Sequence, residues 1–172
     1  MAAVTERSLA RLAGQVGATL LARGESLATA ESCTGGYVAQ MLTALPGASV
    51  WFERGFVTYS NAAKEELLDV PPAILARHGA VSPETARAMA RGALAHSRAD
   101  WSLAVTGIAG PGGGTPGKPV GTVCFAWAYR HGDCMAATAH FAGSRLSIRR
   151  QAVAFALREW PGNGMPPPEH GN

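Results

Sequence analysis

The chain has 172 residues, 47% of them hydrophobic and 16% charged, which is enough apolar material for the core of one ordinary domain and too little charge for a disordered chain. The formal net charge is +3 and the pI about 9.0, yet the basic residues are scattered, which argues against nucleic acid as a partner and suits a small anionic substrate. No apolar run approaches the ~20 residues of a membrane span, and the opening MAAVTERSLA lacks a signal-peptide core, so a cytoplasmic location without a membrane partner is expected.

In chain order, residues 5–23 predict a helix with Leu9, Leu12, Val16 and Leu20 on one face. Leu27 to Ala30 reads as a short buried strand. After Glu31–Ser32–Cys33–Thr34–Gly35–Gly36 a second helix is expected, with Val38, Met41, Leu42 and Leu45 at amphipathic spacing and Pro46–Gly47 as its stop. Phe56 to Tyr59 reads as a strand. Asn61 is expected to cap a helix over Ala62 to Leu68. Pro71 opens another short helix. Ser82–Pro83 starts a longer one that turns Ala86, Met89, Ala90 and Ala93 inward.

Trp101 to Thr106 is a further apolar strand, and Gly107 to Pro119 is a loop with six glycines and three prolines. Thr122–Tyr129 and Cys134–Phe141 read as an antiparallel hairpin. Ser144 is expected to cap a last helix with Leu146, Val153 and Leu157 inward. Strands alternating with helices and ending in a hairpin indicate an α/β layer structure with a mixed sheet. Residues 1–160 are read as one domain and 161–172 as a disordered tail.

The three cysteines, Cys33, Cys124 and Cys134, read as free thiols. A hairpin turn at residues 131–133 opposes Cys124 to a residue near His140 rather than to Cys134. The five histidines fall at no metal-ligand spacing.

Three features carry candidate chemistry. Ser32 lies where a buried strand meets a helix, a placement favoured by active sites of open α/β sheets. Unpaired N–H groups of the first helical turn would be available there to a developing oxyanion; on position alone, a simple capping role for Ser32 and Thr34 fits as well. Glu31 and Cys33 read as a solvated charge and a small core residue.

Lys64, third in its helix if Asn61 is the cap, faces the positive end of the helix dipole, which lowers its pKa towards the range of a general base. A surface lysine is the plain alternative. Tyr59, five positions earlier, is in reach of the same pocket, as a proton relay, a substrate contact or a packing residue.

The glycine-rich loop matches seven positions of a phosphate-binding P-loop at Gly112–Lys118. Pro119 replaces the required Ser/Thr, however, and a strand rather than a helix follows. A softer anion nest remains. Of Arg145, Arg149 and Arg150, only Arg145, at a helix start, is a candidate phosphate contact; the other two suit a solvated face. These features support a hydrolase or a nucleotide binder without identifying a substrate.

The segments AESCTGG, VTYSNAAKEELLDV, AVSPETARAMARGA, AVTGIAGPGGGTPGKPVGTV and FAGSR-x-x-x-RR, in that order over roughly residues 8–158, resemble the CinA C-terminal domain family in its stand-alone form. The resemblance implies an α/β/α three-layer sandwich with a mixed central sheet, assembled as a homodimer or larger homo-oligomer, with no metal or organic cofactor. It implies deamidation of nicotinamide mononucleotide to nicotinate mononucleotide and ammonia, in pyridine-nucleotide recycling. Ser32 falls on the family's nucleophile, with Lys64 and Tyr59 on its catalytic partners. Thr34, Gly35, Gly36, Thr106, Gly107 and Arg145 fall on positions suited to the nucleotide.

Two positions depart from the family pattern. Ser144 stands where an acidic residue is frequent, and Gly117 where a larger one is. The alternatives are a non-catalytic nucleotide-binding regulatory domain of the same fold and an amidase for another small amide.

Overall fold

The computed structural model describes residues 3–163. Helix α1 (Glu6–Arg23) opens on Thr5, whose hydroxyl accepts the Ser8 amide in a reciprocal capping box, and closes on a left-handed Gly24. Its stripe of Leu9, Leu12, Val16 and Leu20 is buried. Strand β1 (Leu27–Glu31) is buried throughout. Then come α2 (Tyr37–Thr43) and β2 (Phe52–Val57). Three helices follow: α3 (Asn61–Leu68), α4 (Pro72–His78) and α5 (Pro83–Ala95). Strands β3 (Trp101–Gly107), β4 (Thr122–Tyr129) and β5 (Cys134–His140) precede the last helix, α6 (Arg145–Arg158).

The sheet order is β2-β1-β3-β4-β5. Strand β1 pairs parallel with both β2 and β3, while β4 and β5 run antiparallel beside β3. The expected α/β/α sandwich with a mixed sheet is what forms. One core lies under α1, α2 and α6, and the other under α3, α4 and α5. The chain passes from β1 to β2 on one side and then crosses to β3 on the other, and because the three strands are parallel their carboxyl ends gather at one edge. Open α/β sheets place their ligands at such an edge.

Three local readings need correction. Strand β2 covers Phe52–Val57 rather than Phe56 to Tyr59. Its partner β1 ends at Glu31, whose carbonyl takes the Thr58 amide at 2.8 Å, so Tyr59 has no strand to pair with. The charged stretch Glu53–Arg54–Gly55 hides the strand from propensity, and it suits a sheet edge exposed to water. Helix α3 is capped by Ser60, whose hydroxyl accepts the Ala63 amide at 3.0 Å; Asn61 is its first residue and Lys64 its fourth. Leu146 is half exposed, and Ile148 fills the inward position instead, because two helical residues stand about 200° apart.

Cys124 faces Thr138 across the hairpin and Cys134 faces Ala128; all three cysteines are free. Residues 161–163 turn back under Trp160, with the Asn163 amide 3.0 Å from the Trp160 carbonyl. The remainder of the expected tail, 164–172, lies outside the described residues.

Helices α3 and α5 approach closely at Gly92, where a Cβ would lie 1.9 Å from the Leu68 carbonyl oxygen. Gly92→Ala in an open helix would stabilise by about 1 kcal/mol. Here it must push α3 away, and a net loss of about 2 kcal/mol is expected from overpacking. Urea denaturation measures it; an unchanged or raised midpoint would show that α3 is free to move.

Candidate active site

At the carboxyl edge, Ser32 follows β1 directly and its amide bonds to the Val105 carbonyl of β3 at 2.9 Å. Ser32 is 8% exposed. Lys64 reaches it from α3, with Nζ 3.2 Å from Ser32 Oγ. The same nitrogen donates to the Thr58 carbonyl at 3.0 Å, to that of Ser60 at 3.4 Å and to that of Tyr59 at 3.5 Å. Lys64 is only 1% exposed and forms no salt bridge among the described residues. A neutral amine would meet two of these three carbonyls at a time with its two N–H groups and keep a lone pair for the serine proton.

Burial pushes the Lys64 pKa below the ordinary lysine range, with the neighbouring Cys33 sulfur opposing. That opposition requires a thiolate. Cys33 is itself pushed up to about 12, first by burial and then by the charge of Glu31, so at neutral pH it is an uncharged thiol. Desolvation rather than the helix dipole is therefore the cause of the lysine's shift. Of the two neighbours, Ser32 is the one with a hydrogen bond to Lys64 among the described residues.

The turn from Ser32 to Gly36 is shaped by two left-handed glycines, Gly35 (φ 58°) and Gly36 (φ 94°), the latter capping α2. The Gly35 amide returns to the Ser32 carbonyl at 3.0 Å and the Tyr37 amide to that of Thr34 at 3.1 Å. Among the described residues the amides of Cys33, Thr34 and Gly36 have no backbone acceptor. The buried Thr34 hydroxyl has no protein partner either.

Family membership is decided by comparison with known sequences. The CinA C-terminal domain model matches residues 9–160. The chain belongs to the CinA C-terminal domain family. It is 51% identical over 155 residues to the nicotinamide-nucleotide amidohydrolase PncC of Escherichia coli K12, covering 90% of this chain and 94% of the relative. A putative competence-damage inducible protein of Symbiobacterium thermophilum is 53% identical over 150 residues, 83% of this chain but 35% of that longer relative. Among solved structures, the competence/damage inducible protein CihA of Agrobacterium tumefaciens superposes with a TM-score of 0.86 at 44% identity, covering 88% of this chain and 92% of that one.

Within this CinA domain the other expected site residues are placed unevenly. Tyr59 is 60% exposed, and its phenol accepts from Arg145 Nη2 at 2.9 Å rather than touching Ser32 or Lys64. Arg145 Nη1 donates to the Gly110 carbonyl at 2.8 Å, so one guanidinium ties the glycine-rich loop to the segment after β2. The hydroxyl of buried Thr106 donates to the Ala80 carbonyl at 2.7 Å and is taken. Gly107, next along β3, leaves no room for a side chain, since a Cβ would lie 2.9 Å from the Thr122 carbonyl oxygen.

Two residues were missed in the sequence. Arg149, read as part of a solvated face, donates to the Thr34 carbonyl at 2.7 Å and lies over the Tyr37 ring, 5.6 Å from its centroid. Its spacing of four from Arg145 was the available signal, because such pairs share a helix face. Glu31, read as solvated, is 1% exposed, and its carboxylate accepts the amides of Val38 at 2.9 Å and Ala39 at 2.8 Å.

A groove of about 540 Å³ between α3, α4 and α5, lined by Leu68, Ile74, Arg87 and Arg91 among others, contains none of these residues. Chemistry rather than size makes the strand ends the candidate site, because among the described residues a serine hydroxyl, a buried amine and free amides converge there. Among the described residues no cluster of His, Cys, Asp and Glu is arranged to hold a metal, and no helix is long and apolar enough to cross a membrane.

Proposed function

We propose that this CinA domain is an amidohydrolase converting nicotinamide mononucleotide to nicotinate mononucleotide and ammonia, by way of an acyl-serine intermediate. The observation that carries the reading is the buried Lys64 amine, 3.2 Å from Ser32 Oγ with no carboxylate partner among the described residues. Lys64 takes the Ser32 proton as Oγ attacks the carboxamide carbon. The amides of Thr34 and Gly36 hold the oxyanion. Collapse of the tetrahedral intermediate expels ammonia, which takes the proton held by Lys64, and water then attacks the acyl-enzyme with Lys64 again as base.

Arg145 and the Gly107–Pro119 loop hold the phosphate, with Arg149 beside them. Thr34, Gly35, Gly36, Thr106 and Gly107 shape the pocket. Tyr59 orients Arg145, and through its carbonyl it orients Lys64. The name and 51% identity of the Escherichia coli relative support the substrate. Pyridine-nucleotide recycling, a cytoplasmic location and assembly as a homo-oligomer belong to the same reading.

The test is ammonia release by the purified protein from nicotinamide mononucleotide, compared with nicotinamide riboside, which lacks the phosphate. A folded protein that releases none from either would leave a binding domain or an amidase for another substrate. Arg145→Ala is expected to raise KM for the mononucleotide ~10- to 100-fold, the range for losing a hydrogen bond to a charged group, and to leave the riboside unchanged. An equal loss on both substrates would remove Arg145 from the phosphate site.

A further inference from the structure

The mechanism above assigns no task to Glu31, although a buried carboxylate beside the nucleophile is costly unless it is satisfied. Ala30 packs into the core on the α5 side. Strand alternation turns Glu31 to the opposite face, where both of its oxygens meet α2, at the amides of Val38 and Ala39. Its backbone carbonyl is held by the Thr58 amide at 2.8 Å. Glu31 is thus anchored in the sheet at one end and bound to the helix at the other, and the Ser32–Gly36 turn is clamped between.

The consequence concerns which donors remain. The helix start, taken alone, offers the Val38 and Ala39 amides to an oxyanion, but Glu31 occupies both. Gly35 and Tyr37 donate within the turn. The amides of Cys33, Thr34 and Gly36 are left among the described residues, and their direction depends on how the turn is held against α2. A hydroxyl cap would accept one amide, whereas the carboxylate accepts two and fixes the rotation of the first helical turn.

We infer that Glu31 is a positioning residue: by holding the Val38 and Ala39 amides it fixes the Ser32–Gly36 turn so that the free amides of that turn point at the developing oxyanion. This rests on the amidase reading above. Positioning and electrostatics predict opposite signs here. A negative charge near the turn opposes a developing oxyanion, so if charge alone mattered, neutralising Glu31 would speed the reaction. If positioning matters, Glu31→Gln replaces one acceptor oxygen by an NH2 that confronts an amide donor, the clamp loosens, and the reaction slows.

The experiment uses the full chain as wild type, Glu31→Gln and Glu31→Asp. It measures ammonia release from nicotinamide mononucleotide and inhibition by 3-pyridineboronic acid. The boronic acid forms a bond from Ser32 Oγ to boron, both of its hydroxyls stay, and the serine proton passes to Lys64. A boron-bound hydroxyl of the resulting tetrahedral anion occupies the oxyanion position.

Glu31→Gln is expected to lower kcat per folded enzyme ~10- to 100-fold, the scale of a displaced catalytic geometry, with KM within about 3-fold. Boronate affinity falls in step with kcat, because both report binding of the tetrahedral state. A merely structural residue would lower the melting temperature and the active fraction without moving boronate affinity per folded enzyme. Glu31→Asp keeps the charge but, one methylene shorter, reaches at most one amide; a smaller loss of the same pattern is expected, and it decides the matter if Glu31→Gln does not fold. Unchanged or raised kcat, a loss confined to KM, or unchanged boronate affinity overturns the inference. Wild-type protein that neither releases ammonia nor binds the boronate overturns the amidase reading itself, and this inference with it.

Discussion

Ser32→Ala is expected to lower ammonia release from nicotinamide mononucleotide by on the order of 10⁴- to 10⁶-fold, the scale seen when a covalent nucleophile is removed. The loss is large because no neighbour substitutes for it. Cys33 is adjacent in sequence, but burial first and the charge of Glu31 next hold its thiol up to about 12, so it supplies no thiolate near neutral pH. The fold is expected to survive, since one hydroxyl is lost while the Lys64 amine keeps the Thr58 and Ser60 carbonyls as acceptors. Thermal melting beside the assay separates the two effects. An intact variant with wild-type turnover would rule out the covalent scheme and leave direct attack by water. A further check is rapid mixing, in which an acyl-enzyme that accumulates gives a burst of ammonia absent from the variant.

Lys64→Met is expected to cost ~10²- to 10⁴-fold in kcat/KM, the usual contribution of a positioned general base. The pH dependence carries the sharper signature. The base acts only when neutral, so wild-type kcat/KM rises with pH up to the lowered pKa of Lys64 and then levels off; the residual activity of the variant lacks that limb. Stability follows the same group. A lysine whose folded pKa is depressed binds more protons unfolded than folded between its folded value and the ordinary one near 10.5. Stability therefore rises with pH across that window. The melting temperature of wild type relative to Lys64→Met should climb as pH is raised from neutrality towards 10.5. A constant difference would mean that Lys64 stays charged in the folded protein, which is incompatible with its role as base.

Much of this was legible from local signals. The apolar stripe of α1, the Ser82–Pro83 start of α5 and the hairpin of β4 and β5 were read from period, caps and turn chemistry, all properties of neighbouring residues. Ser32 was legible as a strand-end serine before a helix, and Lys64 as a lysine placed against preference in a first helical turn.

Where local signals failed, the deciding partner lay on another element. Strand β2 was displaced because its extent is set by the length of β1. Arg149 looked like a solvated charge because the Thr34 carbonyl that holds it is 115 positions away; the partners of Glu31 are near in sequence, but only the turn back of α2 over the strand end brings their amides to its carboxylate. The sequence by itself determined the layered α/β class, the order of the elements and the residue types available for chemistry. Only the tertiary structure decided that the Lys64 amine is buried against Ser32 across 32 positions, and that Glu31 closes the helix start while the turn amides stay open. Distance and desolvation set reactivity, and both arise only when the sheet brings separate strand ends together.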